Sequence, residues 1–110
     1  METLKEKEHL NEEIINLALK TLTGKWKLKI LWAVPYESSI RFNELERRLD
    51  GISSLMLTRR LKELVSSGIL HREQYNEVPI RVEYKMTDIG LKLCPILHML
   101  EELGYLIENK

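Results

Sequence analysis

A mainly α-helical domain with one small β-hairpin is the fold class this sequence predicts, and three observations predict it. The stretch from Ser53 to Gly68 has a helix start signal, a stop signal and two faces of different chemistry. A shorter apolar-periodic stretch precedes it across an Asp50-Gly51 turn. Directly after Gly68 the hydrophobic period falls from about 3.6 to about 2, the change from helix to strand.

In chain order, residues 4–22 read as a first helix. Leu10, Ile14, Leu17 and Ala18 form one stripe, and Ile15, Leu19 and Leu22 form a second beside it. That arc is wider than one helix needs to cover a small core. The surplus suggests a surface for a partner, although a deeply buried helix would look the same. Gly24 breaks the chain, and a second helix is expected from about Lys25 to Val34, ended by Pro35. Trp26, Ile30, Leu31 and Val34 are its core candidates, with Trp26 the anchor by virtue of its area. Lys25 would touch either phosphate or solvent. Residues 38–41 allow only a brief strand. Phe42, Leu45 and Leu49 then give a short helix stripe with Asn43 as a plausible cap, and Asp50-Gly51 supplies a tight turn.

The next helix is the best specified. The Ser53 hydroxyl can accept from the free N–H groups of the first turn. Gly68 can take the left-handed conformation that ends a helix. Leu57, Leu61, Leu64 and Val65 make the apolar stripe. Leu55, Thr58, Arg59 and Lys62 share another face, which holds two cations, a hydroxyl and a leucine but no acid. With Ser53 and Ser54 at its start, such a helix could lie in a DNA major groove, which offers acceptors to Arg and a methyl group to Leu. The competing reading is a solvated face beside a core stripe. Two short helices joined by a tight turn, the second bearing the basic face, is helix-turn-helix organisation.

Residues 69–75 and 81–86 read as two strands around an Asn76-Glu77-Val78-Pro79 turn, with Val82, Tyr84 and Met86 alternating with Arg81, Glu83 and Lys85. A hairpin directly behind the basic helix is a wing. Arg81, near its tip, could reach a phosphate or the minor groove, or pair with Glu73 or Glu77. Thr87 caps a last helix over residues 88–108, bent at Pro95. Its stripe, Ile89, Leu93, Ile96, Leu97, Leu100, Leu103 and Ile107, exceeds what one small domain can cover. Together with residues 4–22 it predicts a dimer interface, since exposed patches of that size rarely belong to monomers.

The chain has 110 residues, 44% hydrophobic and 31% charged, the balance of one soluble globular domain. No apolar run approaches the ~20 residues of a membrane span and the N-terminus is too charged for a signal peptide, so a cytoplasmic protein is expected. Net charge is zero, but residues 20–85 hold thirteen Lys and Arg against eight acids, between two acidic ends. Local field rather than total charge steers a polyanion. The single Cys94 excludes an internal disulfide and a multi-cysteine zinc site. His9, His71 and His98 lack metal-ligand spacing, no glycine-rich phosphate loop is present and no nucleophile has an evident base. Nothing therefore points to an enzyme, a metal or another cofactor, and no pattern designates a small-molecule effector.

Several segments carry a family resemblance: Gly24-Lys25-Trp26 with Ile30-Leu31, Arg41-Phe42-Asn43-Glu44-Leu45, Gly51-Ile52-Ser53 through Leu57 to Leu64, and Val78-Pro79-Ile80-Arg81-Val82-Glu83-Tyr84 followed by Thr87 and Gly90. In this order and spacing, over roughly residues 20–100, the chain resembles the HxlR-type winged helix-turn-helix transcriptional regulators of the broader MarR-like set. The resemblance implies a homodimeric regulator that binds double-stranded DNA with helix 53–67 in the major groove and wing 69–86 alongside. Residues 24–87 would be the DNA-binding core, and residues 1–22 and 88–110 the dimerisation helices of one domain. With that geometry, the residues read above, Ser53, Ser54, Leu55, Thr58, Arg59, Lys62, Arg81 and Lys25, are the expected DNA contacts. A winged-helix module that binds protein rather than DNA is the alternative. Two departures stand out. Many relatives have a sensing cysteine about a dozen residues before the Gly-Lys-Trp motif, where this chain has Asn11-Glu12-Glu13-Ile14. Leu55 stands where the family usually has a small or polar residue, and Cys94, before Pro95 in an apolar helix, reads as structural filler.

Overall fold

A computed structural model describes residues 9–110. Its elements are α1 (Glu12–Leu22), α2 (Lys27–Ala33), β1 (Ile40–Arg41), α3 (Phe42–Arg48), α4 (Ser54–Ser66), β2 (Leu70–Tyr75), β3 (Arg81–Met86), α5 (Asp88–Leu91) and α6 (Leu93–Glu108). Helices α2, α3 and α4 pack with a three-stranded antiparallel sheet in the order β1-β3-β2, and α1, α5 and α6 complete the described chain. Among the described residues no helix is long and apolar enough to cross a membrane.

The first helix was expected from residue 4; residues 4–8 lie outside the described ones. The helix begins after Asn11, whose side chain accepts from the Ile14 N–H at 3.2 Å. The second helix starts two residues later than expected. Trp26 has φ +78°, a left-handed conformation that cannot continue a helix backwards to Lys25, and its carbonyl accepts the first helical bond from Ile30. Val34 is already extended, as the residue before a proline must be. Asn43 is not the cap of α3. The chain leaves β1 extended at Arg41, which becomes the N-cap without a side-chain bond, so Asn43 lies inside the helix.

Around α4 the local signals act as written. Ser53 accepts from the Met56 N–H at 3.0 Å. At the other end Gly68 has φ +82°, its N–H donates to the Val65 carbonyl, and the Ile69 N–H donates to the Leu64 carbonyl. Those two bonds define a Schellman stop and turn the chain straight into β2. Thr87 accepts from the Gly90 N–H at 3.0 Å and caps α5. The expected bend follows at Lys92, where α5 gives way to α6. Pro95 has no N–H for the Leu91 carbonyl four residues back and its ring crowds that group, so the ladder is interrupted there.

The core is a single cluster. Ile30, Leu31, Leu45, Leu57, Leu61, Leu64 and Leu70 are fully buried, and each contributes roughly 1.5–3 kcal/mol by leaving water. Three of the seven come from α4, so its apolar stripe is the centre of the domain and its opposite face is held outward. The two flanking helices behave differently. No residue of α1 is buried, and in α6 only Leu93 is. Leu17 is 61% exposed, Met99 70% and Leu106 68%, values incompatible with core positions in the isolated chain. The molecule is correspondingly elongated: its radius of gyration is 16.6 Å, against about 13 Å for a compact domain of this length.

Candidate nucleic-acid interface

Burial of Leu57, Leu61 and Leu64 presents Ser53, Ser54, Leu55, Thr58, Arg59 and Lys62 on the exposed side of α4. Leu55 is 68% exposed, an apolar side chain with no core to fill. Among the described residues neither Arg59 nor Lys62 has an ion-pair partner, while Arg60, on the next face, pairs with Glu63 at 2.5 Å. Two uncompensated cations therefore sit one turn apart beside Thr58. Ser54 donates to Glu46 of α3, which braces the two helices of the helix-turn-helix against each other. Lys27 pairs with Glu63 at 3.8 Å and ties the start of α2 to α4; Lys25 is exposed in the turn just before it.

Arg81 has a different environment. Its guanidinium donates to Glu83 at 3.0 Å and to Glu77 at 3.1 Å, and lies 4.0 Å above the centre of the Tyr75 ring. Glu77 was one of the two partners expected from sequence; Glu83 takes the place of Glu73. Glu83 also accepts from the Ser39 hydroxyl at 2.5 Å and has the Arg41 guanidinium at 3.8 Å. Glu73 and Glu83 stand directly opposite in the β2–β3 pairing. Like charges so placed repel, and the cations around Glu83 offset that repulsion. The network braces the turn-side half of the wing and ties it to β1.

Sequence reasoning missed a second set of groups. Between the wing and the helix-turn-helix runs a groove of about 490 Å³, where Arg41, Asn43 and Arg72, none of them expected as contacts, join Thr58 and Arg81, which were. The signal was available in the alternation of Leu70, Arg72 and Gln74, which puts Arg72 on the core side of β2. Cys94 is half-buried beside the Tyr36 phenol, whose pKa is pushed up by burial and by its hydrogen bond with that thiol. Among the described residues no group of three or more His, Cys, Asp or Glu could hold a metal ion.

A helix-turn-helix with an acid-free basic face on its second helix, followed by a β-hairpin, defines the winged helix-turn-helix class of DNA-binding regulators. The chain belongs to the HxlR-like helix-turn-helix family, whose family model matches residues 21–110. It is similar to an uncharacterized HTH-type transcriptional regulator of Methanothermobacter thermautotrophicus, 44% identical over 90 residues, 82% of this chain and 68% of that protein. A second relative, the uncharacterized HTH-type transcriptional regulator BH0655 of Halalkalibacterium halodurans, is 35% identical over 102 residues, 93% of this chain and 90% of its own. Among solved structures, a candidate MarR-family regulator from Enterococcus faecalis V583 superposes with a TM-score of 0.81 at 40% identity, covering 92% of each chain. The redox regulator HypR in its reduced form gives 0.76 at 36% identity, covering 87% of this chain and 98% of its own. The chain is thus a DNA-binding transcriptional regulator of the helix-turn-helix kind.

Proposed function

We propose that this chain acts as a cytoplasmic homodimer that lays α4 in the major groove of duplex DNA and sets its wing on the flanking backbone. The observation that carries the reading is the pair Arg59 and Lys62, exposed without acid partners among the described residues, on the face opposite the core of the domain. Arg59 is the residue with the fork geometry to read a guanine edge, and Leu55 can meet a thymine methyl. Thr58, Ser53 and Ser54 supply hydroxyls to bases or phosphates near the helix start, and Lys62 and Lys25 supply charge to the backbone. The exposed apolar faces of α1 and α6 support pairing of two copies, which would present two α4 helices to successive half-sites about 34–36 Å apart. Nothing in this scheme requires a cofactor.

A gel shift with mixed genomic DNA at low salt is the direct test. Retardation that weakens as salt rises is the expected result. No shift at low salt would favour the protein-binding alternative. Selection of bound fragments from the source genome would then supply the operator.

A further inference from the structure

We propose that the wing's contact with DNA is made by Arg72, from the face of the hairpin that looks onto α4, and that the sugar–phosphate backbone runs through the groove between them. This rests on the DNA-binding reading above and assigns its wing contact to a specific residue.

The pairing register decides which face each wing arginine occupies. Tyr84 and Met86 are buried, so their side of β3 is the core side. Residues directly opposite in an antiparallel pair share a face. Leu70 is opposite Met86 and is buried with it; Arg72 is opposite Tyr84 and lies on the same side. Beyond Leu70 the strand outruns the core, and every residue from His71 to Tyr75 is exposed. Arg72 therefore overhangs the groove that it lines together with Thr58 of α4 and Asn43 of α3. Arg81 is opposite Tyr75 and shares a strand face with Glu83, and it borders the same groove at the turn end, where it is bonded to Glu77.

Both arginines border the groove, and charge separates them. The side-chain partner of Arg72 is the neutral amide oxygen of Gln74 at 3.1 Å, and among the described residues it has no ion pair. Arg81 is held between two carboxylates within 3.1 Å. A phosphate in the groove meets the full charge of Arg72, in a planar fork suited to bidentate binding. At Arg81 it would meet a cation already paired with two carboxylates. Only an uncompensated cation displaces a counterion from DNA and so steepens the salt dependence of binding. By occupying Glu77, which also lines the groove, Arg81 keeps that carboxylate from facing the backbone.

The test is a salt titration of binding to a selected DNA fragment by three full-length proteins. Each neutralised phosphate contributes about −0.9 to the slope of log affinity against log salt. For a dimer, Arg72→Gln should make the slope shallower by roughly two units with the preference among sequences retained. The charge-neutral double variant Arg81→Gln/Glu77→Gln should leave the slope unchanged. Circular dichroism checks that both variants are folded. An unchanged slope in Arg72→Gln, or the same loss in the double variant, overturns the assignment. If the unmodified chain shows no salt-dependent binding, the DNA-binding reading itself fails, and the assignment with it.

Discussion

A Cβ placed on Gly90 would lie 2.3 Å from the carbonyl oxygen of Ile69, closer than any real contact of that kind. The start of α5 and the start of β2 are thus in backbone contact, sealed by the Thr87 N–H donating to the same Ile69 carbonyl at 3.1 Å. The contact joins the stop of α4 to the start of the C-terminal helices α5 and α6 at one corner of the fold.

Gly90→Ala should therefore destabilise the fold by about 1–3 kcal/mol, the usual range for forcing an extra methyl into a filled space. Alanine's better helix propensity, worth about 1 kcal/mol, works in the opposite direction but cannot relieve an overlap with backbone. A thermal melt several degrees below that of the unmodified protein is the expected reading, and an unchanged melt would mean that the two elements are not held this close.

Ser53→Ala should cost about 1 kcal/mol by removing the acceptor for the Met56 N–H, whereas Ser53→Gly should cost only a few tenths. Urea unfolding of the three proteins distinguishes these values. Equal stability of all three would show that the hydroxyl does not cap the helix in solution.

Leu100 and Leu103 are 53% and 52% exposed in the single chain, so they contribute little to its core. Replacing both with Glu should yield folded monomers, because charge would otherwise be buried without partners between two copies. Sedimentation velocity checks the result; an unmodified chain that is already monomeric at micromolar concentration would remove the dimer from the proposal.

Arg59→Ala should cost ~1–3 kcal/mol on a selected operator and flatten preference at one base-pair position, the signature of a base-edge contact. A uniform loss across sequences would reassign Arg59 to phosphate. Binding measured against single-base variants of the operator separates the two results.

The sequence by itself determined the elements whose limits are set by neighbours a few residues away. Ser53 and Thr87 cap through bonds to N–H groups three residues on, and Gly68 ends α4 through bonds to Val65 and its neighbour Leu64. Strand β3 has the expected bounds, Arg81 to Met86, and its alternation holds over Tyr84, Lys85 and Met86. The apolar surplus of α1 and α6 was legible too, because it follows from counting stripes against what a small core can cover. The acid-free face of α4 was legible for the same reason, being a matter of helical spacing alone.

Tertiary structure decided what depends on distant partners. The left-handed Trp26 shortens α2, and pairing of β1 with β3 carries an extended chain up to Arg41, which leaves Asn43 no cap to make. Alternation within one strand assigns residues to two faces, but the location of α4 and the register with β3 decide which face overlooks the groove. That is why the wing arginine nearest the turn attracted attention in the sequence while Arg72 did not. Glu77 and Glu83 lie only four and two residues from Arg81, but the wider network is tertiary. The Glu83 carboxylate that holds Arg81 also accepts from Ser39 and lies 3.8 Å from Arg41 because β1 pairs with β3, and a list of residues cannot show that.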